Sequence, residues 1–228
     1  RYARVIVHVD PDLPINRAAL PSGPGLAARY PGDIALASDP QVLLVEDFET
    51  GDKAALKKRW EEVSDKDGQA LALIAGAPPN SPGQRVLEVT ARLGHDTGGH
   101  LYRRLPRPVD RAFARFLVRF DETNGYTHHF VHFGGYHPST AWAQGGAGDR
   151  PAGDDRFTVG VEPFGENGRY PPPGAWFLYT YWQDMRVSAG GRYWGNGLRP
   201  AAPFPVPKSR WQCLEVMIQL NSKTELHD

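Results

Sequence analysis

Apolar residues alternate with polar ones, with the two-residue period of β-strands, over most of the chain. After Leu71 helical spacing disappears, and runs of strand character recur between turns rich in glycine and proline. These runs are ALALIA (70–75), QRVLEVTAR (84–92), HLYRRL (100–105), AFARFLVRF (112–120), YTHHFVHFGG (126–135), RFTVGVEPF (156–164), AWFLYTYWQDMRV (175–187) and WQCLEVMIQL (211–220), preceded by QVLLVEDFE (41–49). Short strands at this spacing are typical of a β-sandwich or a jelly roll. We therefore predict an all-β fold.

One segment has helical spacing. In GDKAALKKRWEEV, Asp52 stands where an N-cap is expected, and Ala55, Leu56 and Trp60 fall on one helical face. We expect one short surface helix here.

Alternation within single runs predicts which side chains face the core. Side chains two apart on a strand share a face. The predicted core positions are Phe116, Val118, Phe120, Leu214, Val216, Ile218 and Leu220. Arg115, Leu117 and Arg119 then face outward.

The N-terminal 40 residues differ from the rest. The alternating run from Val5 to Val9 is followed by a stretch rich in proline and glycine from Pro11 to Pro31. We predict an extended arm and linker over residues 1–40 and one jelly-roll domain over residues 41–228, a normal size for a single all-β domain. The arm is expected to pair with a sheet edge, and pairing with a neighbouring subunit would make a homo-oligomer.

Composition excludes several classes of function. Lys+Arg and Asp+Glu are equal at 26 each, so no global charge attracts nucleic acid or an anionic membrane, and any basic site must be local. No apolar run is long enough to predict a membrane span. Cys213 has no cysteine partner within the chain and is expected to be a buried thiol. The chain begins at Arg1 rather than Met, which suggests trimming by a signal peptidase or by another protease. We expect an exported protein that is secreted or at the cell surface, with the periplasm as an alternative.

Histidines cluster between Tyr126 and His137. If Val131 and Phe133 face the core, the opposite face of this strand carries Tyr126, His128, Phe130 and His132. Histidine binds metals and moves protons near neutral pH. The alternative is a set of hydrogen-bonded polar residues on a half-solvated sheet. A zinc site is less favoured, because no carboxylate or thiolate to complete it is evident nearby.

An aromatic run supplies the second candidate surface. In AWFLYTYWQDM, Phe177, Tyr179 and Tyr181 share one face. Tyrosine combines a flat apolar ring with a polar tip, which suits a sugar ring. Ordinary core packing is the alternative. The glycine-rich segments 145–155 and 193–207 are long enough to wall a cleft, but they lack the ending of a phosphate loop, which disfavours nucleotide binding.

The acidic run from Glu46 to Glu49 offers oxygen ligands. Asp47 and Glu49 are candidate ligands for a structural Ca²⁺ ion, although the spacing is not that of an EF-hand. Solvated surface charge is the alternative.

Several segments together resemble a group of uncharacterised exported bacterial proteins that look like relatives of concanavalin-type jelly rolls. That broad group includes laminarin-binding modules and polysaccharide lyases. The resemblance covers the chain from about Val42 to Asp228 and is carried by LLVEDFETG, TGGHLYRRL, HHFVHFGGYHP, QGGAGDRPAGDDRFTVGVEPFG, RYPPPGAWFLYTYW, YWGNGL and RWQCLEVMIQLNS.

The resemblance implies a site on one sheet face. Jelly-roll lyases neutralise a uronic carboxylate and use tyrosine or histidine to move protons. Here the resemblance implies His128 or His132 in the histidine place, Tyr179 or Tyr181 in the tyrosine place, and Arg115 or Arg119 beside the carboxylate. Substrate contacts are implied for Arg115, Tyr126, Phe130, Phe177 and Tyr136. The glutamine-isoleucine-histidine strand of the jelly-roll lyases is absent here, and the corresponding run is His129 to His132.

The expected function is recognition of a polysaccharide. One alternative is a lyase acting by β-elimination on a uronate-containing polymer, and a second is a structural protein of the cell surface assembled by strand addition. A hydrolase is disfavoured, because no pair of acidic residues is spaced to span a glycosidic bond.

Overall fold

The computed structural model describes residues 26–140 and 145–220. These residues form two compact units, one within Ala19–Val109 and the other within Asp110–Asp228. The arm strand expected at residues 5–9 lies outside the described residues, and the predicted domain boundary after residue 40 stays a prediction.

The N-terminal unit contains short elements and two separate strand pairs. Strands β1 and β4 pair antiparallel, as do β2 and β3. In chain order the elements are α1 (Leu26–Arg29), 3-10 turns at Pro31–Asp33 and Leu36–Ser38, α2 (Lys53–Arg59), β1 (Glu62–Ser64), β2 (Leu71–Ala75), β3 (Arg85–Val89) and β4 (His100–Tyr102).

The predicted helix is confirmed as α2. The Asp52 side chain accepts a hydrogen bond from the Ala55 N–H at 2.9 Å, which satisfies one of the free donors of the first turn. Leu56 is fully buried beneath the helix. Within the described residues, no helix has the length and apolar character to cross a membrane.

The strand expected at residues 41–49 does not form. The Glu46 carboxylate accepts the Phe48 N–H, and the Asp47 carboxylate accepts the Glu49 N–H, both at 3.0 Å. Phe48 also has a left-handed φ of 62°. Acidic side chains that bind nearby backbone donors compete with sheet pairing, so this run folds as irregular backbone.

The C-terminal unit contains two sheets. Strands β5 and β10 pair antiparallel, and four strands form an antiparallel sheet in the order β6-β7-β8-β9. The bounds are β5 (Arg111–Val118), β6 (Val131–Tyr136), β7 (Arg156–Phe164), β8 (Ala175–Tyr181), β9 (Asn196–Leu198) and β10 (Gln212–Gln219). The all-β prediction is confirmed. Strand β6 begins five residues later than expected, and β9 lies in a segment that was expected to be loop.

An apolar cluster lies between these two sheets. Phe120, Val161, Trp176 and Val206 are its buried members, and side chains of β5 and β10 pack against them, among them Phe116, Val118, Leu214 and Val216. The Trp176 indole also donates a hydrogen bond to Gln212 Oε1 at 3.0 Å. The predicted inner faces of both strands are therefore confirmed at these positions, whereas Leu220 is exposed. The opposite face of the four-stranded sheet is turned away from this core.

Candidate functional site

The outer face of the four-stranded sheet brings distant residues into one row. His132 is paired with Gly160, Gly160 with Tyr179, and Tyr179 with Gly197. Tyr181 occupies the next position along β8 on the same face. His132, Tyr179 and Tyr181 thus share the outward face that the alternation predicted.

His129, rather than His128, joins His132 at this face. His129 adopts a left-handed φ of 62° just before β6 begins, and this breaks the alternation on which the prediction depended. Its Nδ1 atom lies 3.0 Å from Glu162 Oε1. The exposed His128 ring lies against the His129 ring, with 4.0 Å between centroids. The pKa of His128 is lowered, mainly by burial and then by the charge of the adjacent His129.

Phe130 does not lie on the site face. Its ring packs in the core, 5.4 Å from the Phe120 ring and 6.0 Å from the Trp176 and Phe116 rings. The predicted placement of Phe130 on the site face is therefore wrong, because the left-handed backbone at His129 breaks the strand alternation before β6 begins.

Glu162 is the buried anion of the site and was missed by the sequence analysis. Its side chain is 4% exposed, and Oε1 lies 2.9 Å from His132 Nε2 as well as 3.0 Å from His129 Nδ1. Burial acts to raise the pKa of Glu162, but the close contact of its carboxylate with the two imidazoles lowers it to about 2. The group is a carboxylate at neutral pH. The sequence did contain a signal for Glu162: it alternates with Thr158 and Gly160 along β7, on the face opposite the apolar residues.

The His132 side chain is buried, and its ring nitrogens lack hydrogen-bond partners. Its side chain is 9% exposed, and neither ring nitrogen has a hydrogen-bond partner in acceptable geometry. The short separation from Glu162 Oε1 is therefore a close contact of the two groups without the alignment of a hydrogen bond.

The two tyrosine hydroxyls lie side by side. Tyr179 Oη is 3.3 Å from Tyr181 Oη and accepts a hydrogen bond from the Gly195 N–H at 2.9 Å. The pKa of Tyr179 is raised, mainly by burial and then by the hydrogen bond with Tyr181. Tyr179 is therefore a protonated phenol at neutral pH and can donate a hydrogen bond.

A recess of about 60 Å³ lies over these groups. One buried water needs roughly 10–15 Å³ of such space, so the recess holds a few waters, an ion or one substituent of a sugar, but not a whole ring. It is lined by His129, His132, Gly145, Ala147, Arg156, Thr158, Tyr179 and Tyr181.

Arg156 is a second site residue that the sequence analysis did not single out. Its guanidinium lies over the Tyr181 ring, 5.6 Å from the centroid, and donates to the carbonyl oxygens of Gly146 and Asp149. It stands at the first position of β7, immediately after the glycine-rich segment that the sequence analysis proposed as a cleft wall.

The two glycine-rich segments meet beside the recess. Gly148 and Tyr193 form an antiparallel bridge. The Arg150 guanidinium lies 5.4 Å from the Tyr193 ring centroid, and that of Arg192 lies 5.7 Å from the Trp194 ring. Trp194 is 47% exposed. These segments therefore present two arginine–aromatic stacks next to the recess.

The predicted arginines Arg115 and Arg119 lie elsewhere. They alternate with Phe116 and Phe120, whose side chains face the core. Their own side chains therefore point away from the core, on the side opposite the recess. Arg115 is paired with Glu215 of β10, and the Arg119 guanidinium lies 5.7 Å from the Trp211 ring. Neither arginine reaches the recess, and Arg156 occupies the place predicted for them.

The remaining predicted contacts are distributed along the outer face. Phe177 is buried against Phe164, with ring centroids 4.9 Å apart. Tyr136 Oη lies 3.4 Å from Thr158 Oγ1, near the recess. Tyr126 donates from its hydroxyl to the Tyr170 carbonyl at 3.0 Å, away from the histidines.

The carboxylates of the proposed calcium ligands Asp47 and Glu49 accept hydrogen bonds from backbone N–H groups. Glu49 Oε1 accepts the N–H groups of Gln84 and Arg85 at 2.8 Å each, where β3 begins, and Asp47 accepts the Glu49 N–H. In the part of the chain that the structure describes, the group of three side chains placed to hold a metal ion is His129, His132 and Glu162.

The site therefore combines two imidazoles, two phenols and a guanidinium around one recess, with a buried carboxylate in contact with the two imidazoles. Such a set can bind an acidic group and can transfer protons. No family model, curated protein or solved structure matches the chain.

Proposed function

We propose that the C-terminal unit is a jelly-roll module of an exported protein that binds a polysaccharide on the outer face of its four-stranded sheet. The observation that carries this proposal is the convergence of Arg156, Tyr179, Tyr181, His129 and His132 on one recess, beside exposed arginine–aromatic stacks.

The dimensions favour binding of a sugar by two separate contacts. The recess admits a substituent, and Arg156 with the tyrosine hydroxyls supplies the donors that a carboxylate requires. The exposed Trp194 ring offers a flat apolar surface for the C–H face of an adjacent sugar. A polymer with acidic substituents satisfies both contacts.

Affinity electrophoresis in gels containing single polysaccharides tests this proposal. Alginate, glucuronan, pectate and glycosaminoglycans are compared with neutral laminarin and dextran. An acidic polymer should retard the protein, and W194A should weaken binding about fivefold to tenfold, since one good aromatic contact is worth about 1–1.5 kcal/mol. F113A is the control, because Phe113 is also an exposed aromatic residue, at 64%, on strand β5 of the other sheet. Absence of retardation by every polymer contradicts the proposal.

A second candidate function is β-elimination of a uronate polymer. It is favoured by the two phenol oxygens 3.3 Å apart beside His129 and Arg156. In this reaction a base removes the C5 proton, the C4–O bond breaks, a C4=C5 double bond forms, and an acid protonates the departing oxygen. Contact of His129 Nδ1 with Glu162 leaves Nε2 to act as base, and the protonated Tyr179 can act as acid.

Ultraviolet absorbance of the unsaturated product tests the lyase hypothesis. Wild-type protein should raise it with one of the uronate polymers, and Y179F should lower the rate by about 100-fold or more. Y126F is the matched control, because the Tyr126 hydroxyl bonds only backbone away from the recess. Retardation without any absorbance change would leave polysaccharide binding as the function.

A further inference from the structure

We propose that His129, His132 and Glu162 form a binding site for one divalent transition-metal ion of the zinc type. The proposal is independent of polysaccharide binding, because it depends only on the geometry of these three side chains.

The donor atoms have the arrangement of a ligand set. His129 Nδ1, His132 Nε2 and Glu162 Oε1 all lie within 4.8 Å of one another, and the carboxylate oxygen lies 3.0 and 2.9 Å from the two nitrogens. Ligands ~2.0–2.2 Å from a tetrahedral ion lie ~3.3 Å apart. A small movement of the side chains therefore admits an ion between them.

The buried, unsatisfied His132 imidazole is an independent indication of a ligand. Its Nε2 lies close to Glu162 Oε1 without being aligned for a hydrogen bond. Two ligands of one ion show this relationship, because each directs its lone pair at the ion and not at the other. Buried polar atoms without a partner are rare in native proteins, and a metal bond supplies a partner for this nitrogen.

Neighbouring residues are small where the ligands need room. Gly160 lies opposite His132 in the sheet and two residues before Glu162 on the same face. A Cβ atom at Gly160 would overlap Glu162 Oε1 and lie 3.1 Å from His132 Cε1. The glycine lets the carboxylate and the imidazole approach each other across the strand.

The ligand types select the class of ion. Two imidazole nitrogens and one carboxylate oxygen suit zinc and other first-row transition metals, whereas Ca²⁺ and Mg²⁺ prefer all-oxygen sites. Three protein ligands leave a fourth position of a tetrahedral ion open. Both histidines line the recess, so this position faces the Tyr179 and Tyr181 hydroxyls, where water or an anionic group can bind.

Calorimetric titration of tag-free, chelator-treated full chain with Zn²⁺ tests the proposal. One equivalent should bind, Ca²⁺ should not compete, and Co²⁺ should give the visible absorption of a four- or five-coordinate site with histidine ligands. H132A and E162Q should each weaken Zn²⁺ binding by more than about 100-fold, since outer-shell changes alone cost about 10–100-fold.

His100 and Glu62 provide a matched control. They form a histidine–carboxylate pair at 2.8 Å in the other unit, so H100A should leave Zn²⁺ affinity and stoichiometry unchanged. Circular dichroism checks that each variant is folded. Failure of folded wild-type protein to bind Zn²⁺ or Co²⁺, equal loss in H100A, or tighter binding of Ca²⁺ would each overturn the proposal. Electrophoresis of the same sample with chelator present tests polysaccharide binding separately.

Discussion

At the scale of single residues, Gly160 controls how closely His132 and Glu162 approach. G160A should lower the free energy of unfolding by about 1–3 kcal/mol, because the added methyl group overpacks a buried cluster. Urea unfolding measures the change. G125A is the control, since a Cβ atom there would meet no heavy atom within 4 Å. Equal stability of the two variants would show that the cluster adapts without cost.

Glu46 is a carboxylate of the N-terminal unit whose ionisation should make stability depend on pH. Its carboxylate binds the Arg59 guanidinium through two bonds of 3.0 Å and the Trp60 indole at 2.9 Å. Burial opposes ionisation, but these hydrogen bonds hold the pKa of Glu46 below its usual value. Because the pKa of Glu46 is lower in the folded state, its charge stabilises the fold fully above the unfolded-state pKa of about 4.3. This contribution is lost as the pH falls through the folded-state pKa.

E46Q should therefore lower the free energy of unfolding by about 1–3 kcal/mol at pH 7, and the difference from wild type should shrink below about pH 4. Urea titrations across this pH range measure it. E61Q is the control, because Glu61 pairs with Arg104 at 3.6 Å in solvent, and such pairs contribute less than about 1 kcal/mol. A difference for E46Q that persists unchanged at pH 3 would contradict the linkage.

At the scale of elements, β6 and the segment before it decide which ring belongs to the core. Phe130 packs between the two sheets of the C-terminal unit, so F130A should cost about 2–4 kcal/mol of unfolding free energy. F113A should cost less than about 1 kcal/mol, because Phe113 is 64% exposed. Thermal unfolding compares them. An F130A protein of wild-type stability that binds polysaccharide poorly would return Phe130 to the site.

At the scale of the whole molecule, the N-terminal arm remains the open prediction about assembly. A strand formed by residues 5–9 would add to a free sheet edge in its own subunit or in a neighbour. Deleting residues 1–31 should lower either the mass measured by light scattering or the thermal stability. An unchanged mass together with unchanged stability would remove the assembly hypothesis.

Local pattern by itself predicted the inner faces of β5 and β10. Alternation places Phe116, Phe120 and Leu214 correctly, because the two-residue period of a strand is a property of the local backbone. Asp52 marks the start of α2 for the same reason, since capping involves neighbouring residues only. Pattern failed at residues 41–49, where side-chain hydrogen bonds to the backbone displaced the expected strand.

Tertiary structure alone decided the composition of the site. Glu162 stands 30 residues beyond His132 and meets it only through the register of β6 and β7, which no local period contains. Arg156 reaches the recess by the same pairing, whereas Arg115 and Arg119 are directed to the other side of the core. The left-handed backbone at His129 places His129 where His128 was expected and lets Phe130 pack in the core. Faces within a strand follow from local backbone geometry, but contacts between strands follow from pairing and packing of the whole unit.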